Sequence, residues 1–239
     1  LDVDVPKIKR MPYAEAMDRF GSDRPDLRFG MELINVSDLA SKTDFKVFSG
    51  AIENGGQVKA IRVPGGAKMS RKETDALPIC KVEDGKLTTG VSKFVQEIAD
   101  DLIKRMEAET GDLICFGVDA NPATVARVLG ELRVKLANDL GMIEPGQWEW
   151  VWIVDFPMIE WSPEKNRWDS LHHPFTAPKE SDIDKLESDP GAVLSDAYDL
   201  VRHPTAGSPS AWTASSCTCA TRPTSATSSL SPKPRPVST

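Results

Sequence analysis

From Trp148 to Phe156 the chain reads WEWVWIVDF, and this alternation constrains the fold more than any other stretch. Trp148, Trp150, Trp152, Val154 and Phe156 fall on one side, and Glu149, Val151, Ile153 and Asp155 on the other. A period of two predicts a β-strand. Pro157 has no N–H to give a ladder, so the strand must end or bulge there. Ser162, Pro163, Asn166 and Asp169 then signal a turn. The tryptophan stripe reads as core packing, with a base-stacking platform as the alternative.

The returning segment, Ser170 to Lys179, reads SLHHPFTAPK. Each proline biases the residue before it toward extended backbone, so Pro174 and Pro178 predict a loop that presents its side chains. His172 and His173 are the leading functional candidates, because imidazole titrates near neutrality and meets carboxylates or phosphates as a donor. Neighbours in extended backbone point to opposite sides, so the two are not expected to share one ligand. From the residues alone, surface or packing histidines, a ligand contact and a metal site all stay open. No HxH or HExxH spacing supports the metal. Asp155 and Glu160 are candidate acid/base groups or magnesium ligands, an unspecific pattern at strand ends.

The other segments carry weaker signals. Tyr13 to Phe20 predicts a short helix stopped by Gly21. Ser22 to Gly30, SDRPDLRFG, reads as a solvated turn with surface ion pairs. Phe45 to Phe48 and Val58 to Val63 have strand composition around ENGGQ. Ser70 to Glu73 has the capping-box pattern of a helix start. The preceding Gly65 and Gly66 read as a turn, since no phosphate-loop spacing accompanies them. Val91 to Thr110 predicts an amphipathic helix, and Leu113 to Val118 a buried strand containing Cys115. Asn121 and Pro122 predict the cap and first position of a helix that Gly141 closes. Ser181 to Ser188 reads as a helical turn capped by Ser181, and Ala192 to Val201 as a strand.

These elements give an α+β module over about residues 32–145, set between the first helix and the Trp148 strand like an insertion. The expected organisation is therefore 1–31, 32–145, 146–201 and 202–239. The last segment has no acidic residue and little aliphatic content, which predicts a disordered tail and raises a frameshifted or foreign terminus. Cys217, Cys219 and His203 form only a weak metal pattern. The chain starts at Leu1, and sequence upstream is expected. A net charge of −7 over 239 residues argues against a general polyanion binder. Neither a membrane span nor a signal peptide is expected. The four cysteines show no disulfide framework, so a reducing, cytoplasmic setting is expected.

Five words in order carry a more specific signal: YAEAMDRFGSDRPDLRFG (Tyr13 to Gly30), VPGGAKMSRKE (Val63 to Glu73), WIVDFPMIEW (Trp152 to Trp161), LHHPFTAPK (Leu171 to Lys179) and AYDLV (Ala197 to Val201). Together they resemble the bacterial-type aspartyl-tRNA synthetases, a class II family, over nearly everything up to Val201. The resemblance implies a partial class II antiparallel catalytic sheet interrupted by an inserted GAD-type α+β domain. It also implies ATP-dependent activation of L-aspartate, with Mg2+, and transfer of the aspartyl group to the 3′ end of tRNA(Asp), with tRNA(Asn) left open as a second acceptor. His172 would contact the aspartate, with His173 in or near the same pocket, and the intact enzymes are homodimers. Class II motifs 1, 2 and 3 have no counterpart here, and the stretch between Asp75 and Ala76 is shortened. Little or no ligase activity is therefore expected of this chain alone. The competing class is a non-catalytic tRNA- or protein-binding module, because GAD-type domains also occur in the B-type subunit of tRNA-dependent amidotransferase.

Overall fold

The computed structural model describes residues 7–70, 78–144, 146–162, 164–173 and 175–203. Residues 71–73 of the capping box, the shortened stretch near Asp75, Cys217, Cys219 and the tail from residue 204 lie outside the described residues.

Strand β1 (Lys9–Pro12) leads directly into helix α1 (Tyr13–Phe20), which Gly21 closes in the left-handed region at φ 68°, its N–H donating to Met17 O. The chain then builds a five-stranded sheet in the order β2-β3-β6-β4-β5. It comprises β2 (Ile34–Asn35), β3 (Gln57–Val63), β4 (Ile79–Glu83), β5 (Lys86–Thr88) and β6 (Leu113–Asp119), all antiparallel neighbours. The helices of this unit are α2 (Ser37–Ala40), α3 (Lys46–Glu53), α4 (Ala99–Met106) and α5 (Pro122–Asp139). Successive side chains of a strand face opposite ways, so the sheet has a core on each face. Val58, Ala60, Cys80, Val82, Ile114 and Phe116 pack with Phe48, Leu102 and Met106. On the other face, Ile61, Val63, Ile79, Leu113 and Cys115 pack with Val125, Leu129 and Leu136 of α5.

The chain returns through β7 (Glu149–Val154), the hairpin of β8 (Ile159–Ser162) and β9 (Arg167–Ser170), helix α6 (Lys185–Ser188), and β10 (Tyr198–His203). A three-stranded sheet, β1-β7-β10, thus joins the start of the chain to its end. It is mixed rather than wholly antiparallel: β10 runs antiparallel to β7 as expected, but β1 is parallel to it. Parallel neighbours need a long crossover. The whole five-stranded unit supplies it.

Several local expectations are corrected. Phe45 to Phe48 is not a strand; Phe45 precedes α3, because Phe45, Phe48 and Ile52 repeat at helical spacing and Phe48 packs on Phe116 at 5.4 Å. The helix expected over Val91 to Thr110 is confined to α4. Before it lie two 3-10 turns, Ser92–Phe94 and Gln96–Ile98, held as turns by Val91 N–H to Ile79 O and by the Gln96 side chain to Leu87 O. Ala192 to Val201 is strand only from Tyr198 onward, and β10 continues through Arg202 and His203, the first two residues of the expected tail. Ser181 caps nothing; its hydroxyl bonds to Asp182 instead.

The Trp148 strand has the expected period and the opposite burial. Val151 and Ile153 are buried beneath Met11, Val201 and α1, whereas Trp148 is 46 % and Trp150 36 % exposed. β-Branched side chains fill the narrow space under a short helix, and the larger indoles remain on the open face. Arg202 covers Trp148 at 4.5 Å, and Trp152 meets Tyr198 edge-on at 5.4 Å. Asp155, at φ 60°, breaks the alternation. Phe156 therefore turns into the core with Val151 and Ile153 rather than joining the tryptophans.

Candidate functional site

The site region is assembled where β7 ends. Ser195 N–H and its hydroxyl both donate to Phe156 O, Lys179 N–H donates to Leu194 O, and Asp196 N–H donates to Ala177 O. These bonds staple the segment 171–179 to the approach of β10. The Lys179 ammonium closes the same corner on Asp155 at 2.5 Å.

His172 and His173 meet different neighbours. The His172 ring stands edge-on to Phe156 at 5.2 Å, and Phe156 in turn meets Tyr13 of α1 at 5.2 Å. Its Nε2 is buried without a hydrogen-bond partner among the described residues, and so is Thr176 Oγ1. This corrects the expectation of a loop that only presents side chains. His173 is exposed, lies against Phe175 at 4.9 Å, and accepts the Phe175 N–H at Nδ1 across 3.4 Å. Phe175 itself is 80 % exposed.

Asp155 is held by Lys179, while Glu160 sits exposed on β8 opposite Asp169. Glu160 nevertheless acts on its surroundings: burial first, then the charges of Asp23 and Glu160, push the Tyr13 phenol up from its ordinary range. Tyr13 thus joins Phe156 and His172 in one aromatic row. No group of three or more His, Cys, Asp or Glu side chains suited to a metal ion occurs among the described residues. An open cleft of about 720 Å³ beside Asp155 is lined by Arg10, Trp152, Lys179 and Tyr198, and neither histidine lines it.

The Ser22 to Gly30 loop is also corrected. Asp26 and Arg28 form an ion pair at 2.7 Å with side chains only 5 % and 7 % exposed, not a solvated turn. Burial opposes the Asp26 charge, but Arg28 and His203 outweigh it and hold the carboxyl below its usual range. Beneath this loop lies Arg133 of α5, 1 % exposed, with Phe29 at 4.4 Å and Phe20 at 5.0 Å. Burial lowers its guanidinium to about 10, against the attraction of Asp26 and Glu32. The sequence carried one signal for it: Arg133 occupies the apolar face of α5, between Leu129 and Leu136.

With this geometry in view, residues 2–205 match the family model of the class II tRNA synthetases (D, K and N). The chain belongs to that family. It is 47% identical over 215 residues to the aspartate–tRNA ligase of Agathobacter rectalis, covering 84% of this chain and 36% of that protein. The aspartate–tRNA ligase of Enterococcus faecalis is 44% identical over 214 residues, with the same coverage. The aspartate–tRNA(Asp/Asn) ligase of Symbiobacterium thermophilum is 44% identical over 222 residues, covering 84% of this chain and 37% of that protein. This synthetase-family chain thus spans about a third of the length of the curated relatives it matches. No helix among its described residues is long and apolar enough to cross a membrane.

Proposed function

We propose that the chain forms part of an aspartate–tRNA ligase, with His172 contacting the aspartate and His173 lying beside that pocket. In the reaction, a carboxylate oxygen of L-aspartate attacks the α-phosphorus of ATP and displaces pyrophosphate. A ribose hydroxyl at the tRNA 3′ end then attacks the aspartyl-adenylate carbonyl and releases AMP. Magnesium would accompany the ATP, and the described residues supply no ligand cluster for it. L-Aspartate, ATP and tRNA are the proposed partners, with a homodimer as the proposed assembly and the cytoplasm as its setting. One relative is named for tRNA(Asp/Asn), so tRNA(Asn) stands as a second proposed acceptor. The five-stranded unit is the proposed GAD-type insertion.

The observation that carries this reading is the buried, unpartnered Nε2 of His172. A buried polar atom without a partner is costly, and a ligand carboxylate is a strong acceptor for an imidazole N–H. A family match over both sheets supports the synthetase reading over a separate binding module.

The chain has three histidines, so histidine-selective NMR isolates the test. L-Aspartate is expected to shift the His172 ring signals, and His172→Ala to weaken binding roughly ten- to a hundredfold, as for a hydrogen bond to a charged group. Unmoved His172 signals at saturating L-aspartate would overturn the assignment. ATP–pyrophosphate exchange by this chain alone is expected to be absent or slight; robust exchange would overturn that expectation.

A further inference from the structure

We propose that Arg133 is a positioning residue that fixes the Ser22 to Met31 loop, and through it the Tyr13 side of the His172 neighbourhood. The reference to the site rests on the function proposed above; the positioning itself does not.

Arg133 is bonded in an uncommon way. It is fully buried on α5, yet its hydrogen bonds among the described residues run to main-chain carbonyls rather than to a carboxylate. Nε donates to Met31 O at 3.2 Å, and Nη2 reaches Gly30 O at 2.8 Å, Asp26 O at 3.1 Å and Phe29 O at 3.3 Å. Buried loop carbonyls such as those of Asp26, Phe29 and Met31 need donors within the protein. A planar guanidinium with five N–H donors serves several at once, which an ammonium cannot match in geometry. Phe20 and Phe29 flank the same cation and tie the loop to the end of α1.

The neighbouring contacts show why a clamp works at this point. Gly21 and Gly130 let α1 and α5 meet backbone to backbone: a Cβ on Gly130 would lie 2.6 Å from Gly21 O. Buried Lys59 of β3 donates to Asp18 O at 2.7 Å, anchoring α1 one turn earlier. With α1 held, Arg133 decides the course of the loop that leaves it. That course sets the buried Asp26–Arg28 pair, whose Asp26 lies 3.8 Å from His203 of β10, while the His203 ring meets Arg24 O at 3.3 Å. It also sets Asp23, whose charge reaches Tyr13, the aromatic neighbour of Phe156. One side chain of α5 thereby orders the loop that follows α1, whose Phe29 and Met31 pack into the core of the five-stranded unit.

The test is hydrogen exchange by mass spectrometry on the full chain, with His203 ring signals as a second readout. Arg133→Met keeps volume and removes every donor. It is expected to speed exchange of amides 23–33 by roughly ten- to a hundredfold, the range for stranded buried carbonyls, with β3 and β6 unchanged. The His203 signals should move in the same variant. Arg133→Lys, which keeps charge and some donors, should give an intermediate effect and partial rescue. Unchanged loop exchange in both variants would overturn the proposal, as would faster exchange spread evenly through β3 and β6, which would make Arg133 a core residue only. If Arg133→Met does not fold, Arg133→Lys decides: selective loop exposure upholds the proposal, and a uniform or null response overturns it. None of these readouts depends on aspartate binding, so failure here is distinct from failure of the functional assignment.

Discussion

The two sheets bury their residues differently. The five-stranded sheet is covered on both faces, and side chains such as Ile61, Phe116 and Leu102 are fully or nearly fully buried. The three-stranded sheet has one small core, under α1, and an open face carrying Trp148 and Trp150. The candidate site lies in the second region, at the end of β7. The site region is held by staples of its own, to Phe156 O and Leu194 O, and the Arg133 clamp reaches the loop after α1 from the five-stranded unit. Low local burial is where loops that must admit a ligand are found.

This contrast can be broken most forcefully at Leu102. Leu102→Ala is expected to cost about 2–5 kcal/mol in urea unfolding, because it empties a fully buried position of the closed unit. A cost comparable to that of a surface change would show that the unit is not closely packed. Gly130→Ala tests the seam between the regions. Its Cβ would meet main-chain oxygens of Gly21 and Phe20 that cannot swing aside, so a loss of about 1–3 kcal/mol is expected. A neutral result would mean that the seam can open without loss.

Acid should then separate the regions. Burial, with Arg28, holds the His203 imidazole below its ordinary 6.5, although Asp26 opposes this. The unfolded chain therefore takes up this proton first as pH falls. The stabilisation is present above about pH 6.5 and is lost as pH drops from there through the folded value. Asp26, also lowered, loses its share as pH falls below its unfolded value of 3.8 toward the folded one. Five of the six tryptophans lie between Trp148 and Trp168, the sixth being Trp212, so fluorescence reports mainly on the site region. Its thermal midpoint should fall between pH 7 and 5, and His203→Asn should flatten this step. An unchanged slope in that variant would show that His203 does not set it. The smallest effect is expected on the open face: Arg202→Ala should cost about 0.5–1 kcal/mol by loss of its cation–π contact with Trp148. A several-fold larger cost would mean that this face is less open than its exposure indicates.

Much of the closed unit was legible in the residues. The 3.6-residue repeat and the Asn121–Pro122 start located α5, whose cap is realised as the Asn121 side chain accepting Ala123 N–H. The apolar run from Leu113 located β6. Phe45 to Phe48 misled because a short apolar run fits either period, and contact with Phe116 decided for helix. Val91 to Thr110 misled because hydrogen bonds donated by Val91 N–H to Ile79 O and by the Gln96 side chain to Leu87 O, both outside the segment, outweighed helical propensity. At the candidate site, the words around His172 were readable. Its buried Nε2 and its contact with Phe156 were not.

By itself, the sequence determined the periods, the turns, the interrupted order of two units and the family words, because these depend on neighbours along the chain. Tertiary structure alone decided which face of β7 is buried, that β1 runs parallel to it, and that an arginine of α5 holds the loop after α1. Each of these turns on which distant group fills a given space. Local periodicity says that a strand has two faces, but only the partner packed against one of them decides which face leaves water.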